Sequence, residues 1–84
     1  MAAQQIFSRE FDKIFFGLPP QIQKQIESKI DEISLHLDRF PHHRLKNSDD
    51  FRLRAGSYRI IYQFDLAQNQ IFLSTLGHRR EIYR

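Results

Sequence analysis

The spacing of apolar residues divides the chain into a helical first half and a strand-forming second half. Gln4 to Phe7 reads as a short strand. Ser8 follows as a helix N-cap, with Glu10 and Asp12 favourably placed in the first turn. Phe11, Ile14, Phe15 and Leu18 recur at i, i+3, i+4 and i+7, which makes one helix face apolar. Leu18-Pro19-Pro20 ends that helix, because proline lacks the N–H a helix interior needs; Pro20 is suited to the first position of the next one. Ile22, Ile26, Ile30, Ile33 and Leu37 carry the second helix to about Asp38, with Gln, Lys, Glu and Ser between them. The result is a helical hairpin with one apolar side, expected to face the core rather than a second copy.

After an irregular stretch that begins at Phe40-Pro41, the period changes from that of a helix to two. Phe51-Arg52-Leu53-Arg54 alternates as a strand with one wet face. Gly56-Ser57 fits a two-residue hairpin loop, with glycine where a type II′ turn needs positive φ. Tyr58 to Asp65 forms the second strand of the hairpin. A polar loop at Ala67-Gln68-Asn69 leads to a third strand, Gln70 to Leu76, closed by Gly77. The expected fold is α+β, one domain over residues 1–84 in the order β-α-α-β-β-β, with the helices on one face of an antiparallel sheet.

Composition narrows the function classes. An 84-residue chain with 40% hydrophobic residues, eight Phe and three Tyr can build one core. With no cysteine it has neither disulfides nor thiolate metal sites. The N-terminal residues do not resemble a signal peptide and no stretch could span a bilayer, so a cytoplasmic protein with no membrane partner is expected. The net charge of +3 is unevenly spread. Residues 1–43 carry five basic and six acidic side chains, whereas residues 44–84 carry eight basic and four acidic, and seven of those eight are arginine. Arginine presents a planar fork that matches phosphate.

The hairpin register places these arginines. With Ala55 opposite Tyr58, Arg54 faces Arg59, Leu53 faces Ile60, Arg52 faces Ile61 and Phe51 faces Tyr62. Cross-strand partners share a side of the sheet. Phe51, Leu53, Ile60 and Tyr62 therefore receive the helices, and Arg52, Arg54 and Arg59 collect on the open face. Like charges directly opposite each other are unfavourable, and folding alone does not call for them. An anion seated there would explain them; a solvated face using arginine to protect a sheet edge is the plainer alternative. On the third strand, pairing Asp65 with Gln70 puts Leu76 opposite Arg59. It also gives His78 open-face parity and leaves Arg79 on the core side unless the chain bends at Gly77.

The segment His78-Arg79-Arg80-Glu81-Ile82-Tyr83-Arg84 is dense in groups suited to phosphate chemistry, including histidine as an acid–base candidate and a tyrosine among positive charges. Spacing alone favours a simpler role for Tyr83, packing the terminus onto the sheet. His42-His43 has no second ligand cluster near it in sequence, and a turn surface is expected there rather than a metal site.

Phe51-Arg-Leu-Arg-Ala-Gly-Ser-Tyr-Arg-Ile-Ile-Tyr62 and Leu76-Gly-His-Arg-Arg-Glu-Ile-Tyr83 resemble the C-terminal half of the RelE-like toxins of bacterial toxin–antitoxin pairs. The Leu18-Pro19 turn and the Leu45-Lys46 segment match as well. The resemblance implies an endoribonuclease that cleaves mRNA, on the ribosome in its A site, without a metal or other cofactor. It implies neutralisation by a cognate antitoxin, with the toxin–antitoxin complex binding operator DNA through the antitoxin. Carried over by position, the catalytic set is Arg52, Arg54, Arg59, Arg79 and Tyr83. Arg44, Lys46, His78 and Arg80 are expected to position the RNA. Some members carry lysine where this chain has Arg52 and Arg54. Arginine holds its proton too firmly to act as a base, so these two positions are expected to be electrostatic. Two rivals share the sequence features: a ParE-like inhibitor of DNA gyrase on the same fold, and a nucleic-acid-binding or corepressor module without catalysis.

Overall fold

Serine and proline set the helix boundaries. In the computed structural model, which describes residues 1–78, strand β1 (Gln4–Phe7) runs directly into α1 (Arg9–Phe15). Ser8 caps that helix, its hydroxyl accepting from the Phe11 N–H at 3.0 Å. Helix α2 (Pro20–Leu35) opens on proline at its first position, where the missing N–H would have had no helical partner. It ends three residues earlier than the apolar spacing predicts, because His36 leaves helical geometry at φ −134°, ψ 43°. Leu37 is nevertheless buried, carried into the core by the turn that follows.

The remaining elements are β2 (His43–Arg44), β3 (Phe51–Ala55), β4 (Tyr58–Asp65) and β5 (Gln70–His78). They join β1 in one five-stranded sheet of order β1-β5-β4-β3-β2. The sheet is mixed rather than wholly antiparallel, since β1 runs parallel to β5, with Gln4 beside Gln70 and Phe7 beside Leu73. Helix α1 packs on β5 and α2 on β3, both from the same side. Phe11, Phe15, Ile26, Ile30 and Ile33 from the helices meet Leu53, Ile60, Tyr62, Ile71, Leu73 and Leu76 from the sheet to form the core. Burying that many large side chains, each contributing roughly 1.5–3 kcal/mol relative to exposure, gives this small fold its main stabilisation.

The β3–β4 register is the one the turn predicts: Ala55 pairs with Tyr58, Arg54 with Arg59, Leu53 with Ile60, Arg52 with Ile61 and Phe51 with Tyr62. Gly56 adopts φ +61° and Ser57 does not take positive φ, as a type II′ turn requires. The β4–β5 register departs from expectation halfway along. Asp65 does pair with Gln70, but Tyr62 pairs with Leu73 and Ile61 with Thr75, leaving Ser74 as a bulge. The Ser8 hydroxyl donates to the Ser74 carbonyl, and the Ser8 N–H donates to the Leu73 carbonyl at 3.0 Å. The residue that caps α1 thus also holds the bulge. In consequence Arg59 faces Gly77 rather than Leu76, and Leu76 faces Ile60 within the core.

Candidate nucleic-acid interface

Alternation along β3 and β4 puts Arg52, Arg54 and Arg59 on the face turned away from both helices. The pair flanking a two-residue hairpin turn exchanges hydrogen bonds, so the next pair, Arg54 and Arg59, occupies a non-hydrogen-bonded site. There opposed Cα atoms lie only roughly 4.5 Å apart and side chains approach most closely. Arg52, Arg54 and Arg59 line one cavity of about 230 Å³, and the fourth lining residue is His43. Among the described residues no carboxylate lines this cavity, and neither Arg52 nor Arg54 has an ion-pair partner. Ile61, the cross-strand partner of Arg52 on this face, is only 7% exposed but does not line the cavity. A concavity lined by three arginines and a histidine is chemically suited to a phosphate oxygen or another compact anion.

His43 enters this site through β2, a two-residue strand that the sequence pattern does not reveal. It is the Cα partner of Arg52, while Arg44 pairs with Phe51 on the other side. Adjacent residues of a strand point to opposite faces, and the two histidines accordingly separate. His42 is half-buried and stacks on Phe64, with ring centroids 3.9 Å apart and 20° between planes. Its Nε2 lies 2.7 Å from the Leu37 carbonyl and its Nδ1 2.6 Å from the Tyr62 hydroxyl. A carbonyl only accepts, so Nε2 carries a proton and donates. In the neutral ring Nδ1 then accepts from Tyr62. Burial raises the Tyr62 pKa well above that of an ordinary phenol, which keeps this hydroxyl protonated as a donor. The hint available in the sequence was the alternation of His42 and His43 next to a strand; it was obscured by the short loop that hides β2.

The other expected contact residues fall in different places. Arg44 lies over the Phe51 ring, with its guanidinium carbon 5.3 Å from the centroid, on the side opposite the arginine cavity. It also reaches Asp49 at 4.0 Å, an exposed pair of little energetic weight. Lys46 is exposed in the turn between β2 and β3 and does not line the cavity. His78 does not have the open-face parity the unbulged register gave it. It pairs with Tyr58 and meets that ring edge-on at 5.6 Å. The Ser74 bulge inverts the parity of the end of β5 through His78. Arg79, Arg80 and Tyr83 lie outside the described residues. Among the described residues, no three His, Cys, Asp or Glu are grouped to hold a metal ion, and no helix is long and apolar enough to cross a membrane.

The sequence profile of the family described as "ParE toxin of type II toxin-antitoxin system, parDE" matches residues 2–83. The structure is similar to the toxin–antitoxin complex RelBE2 of Mycobacterium tuberculosis, with a TM-score of 0.78 at 20% identity over 96% of this chain and 95% of that one. It is similar to the isolated RelE toxin of E. coli, with a TM-score of 0.75 at 24% identity over 98% and 92%. It also resembles the RelB–RelE antitoxin–toxin complex of Methanococcus jannaschii, with a TM-score of 0.70 at 28% identity over 93% and 94%. No curated protein sequence matches the chain. The fold and the family profile together define a toxin of a type II toxin–antitoxin system, of the RelE/ParE superfamily. Within that class the chain belongs to the family of the ParE toxin profile.

Proposed function

We propose that the protein is a RelE-like endoribonuclease that cleaves mRNA in the ribosomal A site by attack of a 2′-hydroxyl on the adjacent phosphate. The observation that carries this reading is the opposed pair Arg54 and Arg59, gathered with Arg52 in one cavity free of carboxylates among the described residues. In the reaction the 2′-oxygen loses its proton and bonds to phosphorus as the bond to the 5′-oxygen breaks. A 2′,3′-cyclic phosphate and a 5′-hydroxyl result. Negative charge grows on the non-bridging oxygens, and Arg52, Arg54 and Arg59 stabilise it from fixed positions; one such donor is typically worth roughly 10²–10³ in rate. Tyr83 assists removal of the 2′-hydroxyl proton, and Arg79 stabilises the departing 5′-oxygen. Lys46 and Arg80 contact the RNA backbone, which positions the strand without reading its sequence. Arg44 and His78, which the structure places on the helix side of the sheet, have a correspondingly smaller part in gripping RNA. No cofactor enters this scheme.

The crystallised RelB–RelE complexes support a cognate antitoxin for this chain too; operator DNA bound through that antitoxin and a cytoplasmic location are part of the same proposal. The test compares wild type with Arg59→Ala and Tyr83→Phe in a translating extract. Both variants are expected to lose mRNA cleavage, and unchanged cleavage by both would overturn the assignment. The match to the ParE profile favours a second reading, inhibition of DNA gyrase on the same fold. That protein would block supercoiling, leave mRNA intact and tolerate Tyr83→Phe. A module that only binds nucleic acid would instead show salt-sensitive association with no cleaved product.

A further inference from the structure

Within the ribonuclease reading, one chemical need is unmet by the arginines. The departing 5′-oxygen must gain a proton, and a guanidinium gives up its proton too reluctantly to supply it. We propose that His43 is the general acid of the site, donating that proton to the 5′-oxygen as the P–O bond breaks.

Three observations place it for the task. His43 lines the same cavity as Arg52, Arg54 and Arg59, and it is the cross-strand partner of Arg52. It is exposed and its side chain makes no hydrogen bond or ion pair among the described residues, so its ring is available to a substrate. It also stands on one flank of the arginines. Strand β2, which carries His43, is the sheet edge next to β3, so the arginines on β3 and β4 all lie to one side of it.

The neighbouring residue fixes the direction in which His43 points. His42 is anchored by the Leu37 carbonyl, the Tyr62 hydroxyl and the Phe64 ring, and alternation then turns His43 to the open face. The charged groups facing His43 in the cavity are Arg52 and Arg54 on β3 and Arg59 on β4; its chain neighbour Arg44 lies over Phe51 on the other side. An imidazole can both give and take a proton in a reaction, which none of these arginines does.

In the proposed step the imidazolium gives its proton to O5′, the electron pair of the P–O5′ bond leaves with that oxygen, and the neutral His43 left behind regains a proton from solvent after product release. The experiment uses ribosome-bound mRNA with either oxygen or a single bridging sulfur at the 5′ position of the mapped cleavage site. A sulfur leaving group departs without protonation. His43→Gln is expected to slow cleavage of the oxygen substrate by roughly 100-fold or more, yet to cleave the sulfur substrate within a few-fold of wild type. Arg59→Ala is expected to remain slow on both substrates. Equal slowing of His43→Gln on both substrates, or no slowing on either, would overturn the assignment of His43 while leaving the ribonuclease reading intact. Failure of wild type to cleave either substrate would overturn that reading itself, and the acid role with it. Unchanged far-UV circular dichroism of His43→Gln separates chemistry from folding.

Discussion

The two faces of the β3–β4 hairpin are built from the same ten residues or so, yet they obey opposite rules. On the helix side Leu53, Ile60 and Tyr62 are buried among Ile26, Ile30 and Ile33, and every large side chain contributes to stability. On the other side Arg54 is set directly against Arg59, with Arg52 and His43 in the same cavity. That arrangement subtracts from stability, since like charges in cross-strand register repel. The period of two lets a single ribbon carry both programmes without compromise: a change to one face leaves the other almost untouched. His42 and His43 show the same division in adjacent residues, one tying the sheet to the end of α2 and the other facing the arginines.

Breaking the buried face should have the largest effect. Ile60→Ala removes a fully buried side chain and should cost about 2–5 kcal/mol, read as a fall in Tm or in the denaturant midpoint. Gly56→Ala comes next, at about 1–2 kcal/mol, because an L-residue is strained at φ +61° and its Cβ would stand 3.1 Å from Gln25 Oε1. An equally stable variant would contradict the II′ turn on which the register rests. Tyr62→Phe should cost roughly 1 kcal/mol by removing the bond to His42.

The same substitution has a pH signature. Burial raises the folded-state pKa of Tyr62 above its unfolded value near 10, so the folded state holds its proton where the unfolded chain releases one. Stability is therefore unaffected below pH ~10 and falls as pH climbs past the unfolded pKa. Tyr62→Phe should lack this share of the alkaline decline, measured by denaturant titration at pH 9 and 11. The smallest change, and the one of opposite sign, belongs to the open face. Arg54→Gln should leave stability equal or raise it by a few tenths of a kcal/mol, while RNA association weakens and depends less steeply on salt.

How much of this was legible depends on how local the determining interaction is. Ser8, Pro20 and the Gly56-Ser57 turn act through their nearest neighbours, and the elements they bound, with the register of Arg52, Arg54 and Arg59, follow from the sequence. The Ser74 bulge depends on a hydroxyl 66 positions away, that of Ser8, and no local pattern announces it. That single insertion shifted Leu76 and His78 from their expected partners. His43 was missed for a similar reason. Strand β2 has only two residues, and it exists because β3 offers an edge for it to pair with. The parallel pairing of β1 with β5 likewise joins the two ends of the chain and leaves no mark in either segment.

The central claim is that the arginine cavity acts on a phosphodiester, and the most direct measurement is end-group analysis of a defined mRNA after incubation with the purified toxin and translating ribosomes. Wild type should yield fragments ending in a 2′,3′-cyclic phosphate and beginning with a 5′-hydroxyl, and Arg59→Ala should yield none. Intact mRNA in every sample, together with blocked supercoiling by DNA gyrase, would contradict the claim and identify the cavity as a surface that binds without cleaving.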